Sequence, residues 1–225
     1  MLSAISLIAV FLLVCLLWAE NTGSHGLILL FKTPLSFLFV LTAFFQTHRQ
    51  AAYCRFVIAG LILGLAGDVC LGLPGNIAFQ AGLVTFVCGH VLYTIAFAKL
   101  TRMIDWIHPV ALLIPAISGC VFLWLTPHLG TMLVPVAVYI VIISVMVLGA
   151  YSAFRNPNNE RAGAWAILLG AALFYVSDIF VARDRFVVND FMNRLIGLPL
   201  YYTGQFLLAF SVGLVRQDNV ATHSR

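Results

Sequence analysis

The sequence predicts an all-α, polytopic integral membrane protein of about eight transmembrane helices. Of its 225 residues 62% are hydrophobic and 9% charged, against about 25% charged in an ordinary soluble domain. Such a chain has too little polar surface to enclose a water-facing globule. Its apolar residues also fall into runs near the roughly 20 residues that cross a bilayer as helix. These runs are continuous, without the apolar/polar alternation that a transmembrane β-barrel requires. No stretch could form a soluble domain, so a single transmembrane helical domain over 1–225 is expected, possibly as two parallel four-helix repeats.

The expected spans are roughly 2–19, 27–45, 52–72, 76–99, 106–125, 131–154, 162–182 and 196–216. No positive residue precedes the first run, and Trp18-Ala19-Glu20 is a poor cleavage site, so it is expected as a retained helix rather than a leader. Turn-forming residues separate several of the others: Asn21-Thr22-Gly23, Gly72-Leu73-Pro74-Gly75, Thr126-Pro127-His128 and Asn156-Pro157-Asn158-Asn159. The connections are short, so neighbouring helices should run antiparallel. Trp18, Trp106, Trp124 and Trp165 fall near span ends, where indole rings anchor to the interface.

Charge placement orients the chain. Arg49, Arg55, Lys99, Arg102, Arg155, Arg161, Arg216 and Arg225 fall on one side, whereas Arg183, Arg185 and Arg194 fall on the other. Basic residues concentrate on the cytoplasmic side. Both termini are therefore expected in the cytoplasm of a cell membrane, the inner one in a bacterium. These cations are spread over several loops, which argues against nucleic-acid binding. Cys15, Cys54, Cys70, Cys88 and Cys120 are odd in number and lie in apolar stretches, so no disulfide framework is expected. His25, His48, His90, His108 and His128 lack the close spacing of a zinc site, and no metal or other cofactor is expected.

The fourth span reads GLVTFVCGHVL from Gly82 and the eighth GLPLYYTGQFL from Gly197; both fit G-L-x5-G-(H/Q)-x-L. Each follows a helix that ends in a related run, GDVCLG from Gly67 and SDIFVA from Ser177. Four spans restore the starting direction, so the two halves would be parallel repeats.

Two carboxylates, Asp68 and Asp178, lie inside spans. An aspartate at mid-bilayer costs about 2.5–3.5 kcal/mol on insertion scales, so such residues tend to face a bundle interior or cavity and to serve function. Each comes about four residues before its helix end, or about 6 Å at 1.5 Å per residue, in helices that run the same way. Lys32, early in the second span, should reach the same level. So should Tyr201 and Gln205, which share a face of the last helix. Gly60, Gly64 and Asp68 form one stripe, with small residues that permit close helix approach. In the fourth span Asn76, Gln80, Leu83, Val87 and His90 share a stripe with Tyr93 beside it.

Lys32-x-Pro34, Gly67-Asp68, Gly89-His90-x-x-Tyr93 and Ser177-Asp178, in this order and at these depths, resemble the YhhN-like lysoplasmalogenase family over nearly the whole chain. The resemblance implies an eight-helix membrane enzyme that hydrolyses the vinyl ether bond of lysoplasmalogens to a fatty aldehyde and a glycerophospho-base. It also implies that Asp68 and Asp178 are essential.

That chemistry protonates the β-carbon of the vinyl ether, forms an oxocarbenium ion and adds water. It calls for one protonated carboxyl and one ionised one, with Lys32 holding the anion or the substrate phosphate. His90, Tyr93, Ser177, Tyr201, Gln205, Asn76 and Gln80 are candidate contacts of the substrate or its head group. The expected partners are a lysophospholipid, water and membrane lipids; the oligomeric state is left open. Two rivals stand beside this reading. A proton-coupled transporter would need polar residues along a route through both leaflets. A metal-dependent lipid hydrolase would need a metal.

Overall fold

The computed structural model describes residues 2–46 and 51–215. Among them lie eight α-helices: α1 (Leu2–Thr22), α2 (His25–Phe44), α3 (Ala51–Gly72), α4 (Asn76–Ala98), α5 (Leu113–Leu129), α6 (Leu133–Arg155), α7 (Arg161–Ala182) and α8 (Phe191–Leu214). No strand occurs among the described residues. Seven stretches are long and apolar enough to cross a membrane, and one of them, Pro109–Arg155, runs for 47 residues. It contains both α5 and α6, which reverse direction at Gly130, whose φ of +50° suits a residue without a Cβ. The outward faces are those of a lipid-facing bundle, with Leu7, Ile77 and Ile107 at least 73% exposed. Of the basic residues used for orientation, Arg49, Arg216 and Arg225 lie outside the described residues, as does His48.

Three boundaries differ from expectation. The fifth helix begins at Leu113 rather than 106, after 3-10 turns at Met103–Trp106 and Pro109–Leu112. Pro109 offers no N–H and forces the preceding His108 into an extended conformation (φ −148°, ψ 141°), so helix cannot pass through this point. The helix then continues through Pro127, where a break was expected, and stops at Leu129. Trp106 is consequently not at a helix end. It is folded onto Gly149 of α6, and its Nε1 donates to Thr101 Oγ1 at 2.8 Å. α8 begins at Phe191 rather than 196, because Asp190 caps it by accepting from Met192 N at 3.0 Å.

The packing repeats. α1 packs on α2, α2 on α3 and α3 on α4; α5 packs on α6, α6 on α7 and α7 on α8 in the same way. Across the halves, α4 packs on α6 as α8 packs on α2. The closest approaches also correspond. A Cβ on Gly89 would lie 3.4 Å from Gly60 O and one on Gly82 3.4 Å from Gly67 O. Their counterparts are Gly204 against Gly170 O (2.8 Å) and Gly197 against Ser177 O (3.7 Å). The G-L-x5-G motif is thus the seam of both α3/α4 and α7/α8, which is why small residues recur there. The symmetry breaks at the periphery: α1 also packs on α8, whereas α5 does not pack appreciably on α4. Between α4 and α5 the space is taken by a cavity.

Candidate active site

The cavity has a volume of about 740 Å³ and is reached at the end of the bundle where α3 and α7 finish and α4 and α8 start. That volume lies within the roughly 300–1,000 Å³ typical of small-molecule sites. Its inner wall is apolar, with Leu83, Phe86, Val121, Leu125, Val136, Ile140 and Ile143. Both Asp68 and Asp178 line it, together with Lys32, Tyr139 and Tyr201.

Asp68 is 2% exposed and is met by donors from three directions. Ser36 donates to Oδ2 at 2.6 Å and Tyr201 donates to the same oxygen at 2.7 Å, while Lys32 Nζ stands 3.8 Å from Oδ1. Ser36 follows Lys32 by one turn of α2 and Tyr201 is on α8, so the cradle is built across three helices. Behind Tyr201 the donors continue in one sense: Gln205 Nε2 donates to Tyr201 OH at 3.2 Å, and Tyr93 OH donates to Gln205 Oε1 at 2.8 Å. The glycine stripe of α3 makes room for this chain. A Cβ on Gly60 would lie 2.5 Å from the Tyr93 ring and one on Gly64 2.7 Å from Gln205 Nε2.

Asp178 occupies the matching position in the second half with sparser company. Tyr139 of α6 donates to Oδ2 at 2.5 Å, and His90 Nε2 of α4 lies 3.5 Å from the same oxygen. His90 Nε2 is 2.9 Å from Tyr139 OH, and Nδ1 is buried with no hydrogen-bond partner among the described residues. A ring proton on Nε2, directed at Tyr139 O, leaves Nδ1 as a lone pair; this tautomer is assigned from the network. The order of donation is then His90 to Tyr139 to Asp178. No described residue bonds Oδ1 of Asp178, and its side chain is 17% exposed. In each half, therefore, the aspartate of the third helix is held by the second helix of its own half and the fourth helix of the other.

The mouth is polar. α7 is followed by a wide π-helical turn, Arg183–Val187. Arg194 pairs with Glu20 at 3.3 Å and with Asp184 at 2.8 Å. Arg183 donates to Asn193, which in turn donates to Asp184 Oδ1 at 3.2 Å and Val188 O at 2.8 Å. Arg185 donates to Asn76 Oδ1 at 2.5 Å and lies 4.4 Å over the Phe79 ring.

Of the residues chosen from the sequence, Asp68, Asp178, Lys32 and Tyr201 line the cavity. His90 is buried behind Tyr139 and Asp178, and Tyr93 and Gln205 are buried behind Tyr201. Ser177 is also buried outside the cavity, with Oγ bonded to Phe174 O at 2.8 Å. Asn76 stands at the rim against Arg185, and Gln80 is exposed and away from the cavity. Sequence reasoning missed Ser36, Tyr139 and Tyr202, whose OH is 3.1 Å from Ser36 Oγ. It counted Arg185 and Arg194 only as loop charges. A hydroxyl one turn after Lys32 was a usable signal for Ser36; Tyr139 gave none beyond being polar in an apolar run. Among the described residues no three His, Cys, Asp or Glu side chains converge as metal ligands.

Residues 27–212 match the YhhN family. The chain belongs to that family. Similar proteins include "Lysoplasmalogenase TMEM86A" of Bos taurus, 30% identical over 75% of this chain and 68% of the relative. A "Lysoplasmalogenase" of Mycobacterium bovis is 29% identical over 82% of this chain and 69% of its own. The "Uncharacterized membrane protein YhhN" of Escherichia coli O6:H1 is 29% identical over 80% and 85%. No solved structure matches. Both aspartates, both copies of the G-L-x5-G motif and every cavity-lining residue except Glu20, Gly23 and His25 fall inside the YhhN match.

Proposed function

We propose that this YhhN-family chain is a membrane-embedded hydrolase of the vinyl ether bond of lysoplasmalogens, releasing a fatty aldehyde and a glycerophospho-base. The observation that carries the reading is the pair of cavity-lining aspartates with unlike surroundings. Asp68 accepts two hydroxyl bonds and faces an ammonium, which suits a carboxylate that stays ionised. Asp178 lines the cavity and its Oδ1 has no partner among the described residues, which suits the carboxyl that delivers the proton to the substrate. Two carboxyls divided in this way are the arrangement expected for acid catalysis through an oxocarbenium ion.

In the reaction, Asp178 gives its proton to the β-carbon of the alkenyl chain. The positive charge that forms on the α-carbon and ether oxygen is stabilised by Asp68. Water adds to the α-carbon, Asp178 recovers the proton that water loses, and the hemiacetal collapses to aldehyde and glycerol hydroxyl. Tyr139 and His90 orient Asp178; Ser36, Tyr201 and Lys32 fix Asp68. The apolar inner wall accommodates the alkenyl chain. The cavity and its two carboxylates lie toward one end of the bundle, which favours a reaction site with a single mouth over a transport route through both leaflets. With both termini in the cytoplasm, the mouth faces outward.

The test is aldehyde release from lysoplasmenylethanolamine by the purified protein in detergent, with Asp68→Asn and Asp178→Asn as controls. Wild-type protein should release aldehyde and both folded variants should lose at least about a hundredfold in kcat, the order of effect of a positioned acid or base. Full activity in both variants would refute the mechanism. No release from vinyl ether, with release from an ester-linked lysolipid, would refute the substrate.

A further inference from the structure

Three cations that a phosphate-bearing ligand can meet line the cavity, and their situations differ. Lys32 is 6% exposed, deep in the bundle and committed to Asp68. Arg194 at the mouth is neutralised by Glu20 and Asp184. Arg185 lines the cavity at the rim and pairs with no carboxylate among the described residues. It is nevertheless held in place, by Asn76 Oδ1 at 2.5 Å on one edge and by the Phe79 ring at 4.4 Å on one face. Phe79 is fixed in turn by an edge contact with Phe186, at 6.0 Å between ring centroids. A guanidinium stacked in this way keeps its remaining N–H edges for an anion and loses little freedom on binding it.

We propose that Arg185 is the phosphate ligand of the cavity, taking the phosphodiester of a single-chain phospholipid whose tail enters the apolar part below. The inference rests on the proposed lysoplasmalogen reading and names the residue that selects a phosphate-bearing substrate. Depth supports it. Arg185 follows Asp178 by seven residues, about 10 Å along a helical path. In a lysoplasmalogen the phosphate and the vinyl ether are separated by the glycerol backbone, a span of the same order. A phosphate at the rim thus places the reactive double bond at the level of the carboxylates.

The test measures binding by the full chain in detergent micelles, with non-cleavable probes. These are 1-O-alkyl-glycerophosphoethanolamine, the matching 1-O-alkylglycerol that lacks phosphate, and inorganic phosphate. Wild-type protein should prefer the phosphorylated lipid. Arg185→Gln should lower that preference by about tenfold or more, the worth of one charged hydrogen bond. Arg185→Lys should retain part of it, because charge remains while the planar fork is lost. Asn76→Ala, which only frees the guanidinium, should produce a smaller loss. An unchanged preference in Arg185→Gln overturns the proposal. So does displacement of the lipid by inorganic phosphate at equal concentration, which would mark a soluble-anion site. Failure of the reaction reading shows up separately, as wild-type protein that binds with this preference but releases no aldehyde from the vinyl ether lipid.

Discussion

The Lys32–Asp68 pair sets up a thermodynamic experiment that separates the two aspartates. Lys32 and Asp68 side chains are 8% and 2% exposed, and no other carboxylate among the described residues is paired with Lys32. Asp68→Asn leaves a buried ammonium facing an amide whose NH2 is itself a donor. Breaking one partner of a buried pair typically costs about 3–5 kcal/mol. The low end, about 3 kcal/mol, is expected here, because the separation is already 3.8 Å and Lys32 borders the cavity. Asp178→Asn is milder. Its amide oxygen still accepts from Tyr139, its NH2 replaces an oxygen with no partner among the described residues, and the side chain is 17% exposed. About 1 kcal/mol or less is expected there. For a chain of this size about 2–4 °C accompanies each kcal/mol in soluble proteins. Asp68→Asn should therefore melt roughly 6–12 °C below wild type in a mild detergent, and Asp178→Asn within about 4 °C of it. Adding Lys32→Met to Asp68→Asn removes the orphan cation and should recover at least half of the loss. An Asp68→Asn protein that melts with wild type, or a double variant no more stable than the single one, would refute the account of Lys32 as a structural counter-ion.

Three further outcomes follow from the same geometry. Tyr139→Phe removes the 2.5 Å bond to Asp178 and the partner of His90 Nε2, and should lower kcat by roughly 10- to 100-fold with little change in KM; steady-state aldehyde release decides it. Gly204→Ala sets a Cβ 2.8 Å from the backbone oxygen of Gly170, which cannot step aside as a side-chain tip can. It should cost about 1–3 kcal/mol in detergent unfolding, while Gly119→Ala, with nothing within 4 Å, should be close to neutral. Aldehyde release should survive EDTA, since acid catalysis by two carboxyls requires no metal; loss of activity on chelation, restored by added zinc, would favour the metal-dependent alternative.

Composition and run length settle that this chain lives in a bilayer, because a 62% hydrophobic chain has no other solvent in which to expose its surface. The repeat was legible too. A seam between helices demands small residues at fixed spacing, and Gly82/Gly89 and Gly197/Gly204 carry that demand in the sequence. The aspartates announced themselves because an ionisable group inside a span is costly enough to need a reason. What the sequence alone left open was the company each side chain keeps. Helical spacing placed Gln80 on a stripe with His90, yet Gln80 is exposed and His90 is fully buried. Lys32 was equally suited to a phosphate or a carboxylate until α2 and α3 packed and set it beside Asp68. Tyr139 and Arg185 lie far along the chain from His90 and Asn76, and only the packing of α6 on α4 and the return of the turn after α7 to the start of α4 join them. Hydrophobicity is a property of each residue and can be read one residue at a time. A hydrogen bond belongs to two, and the second is chosen by how the helices pack.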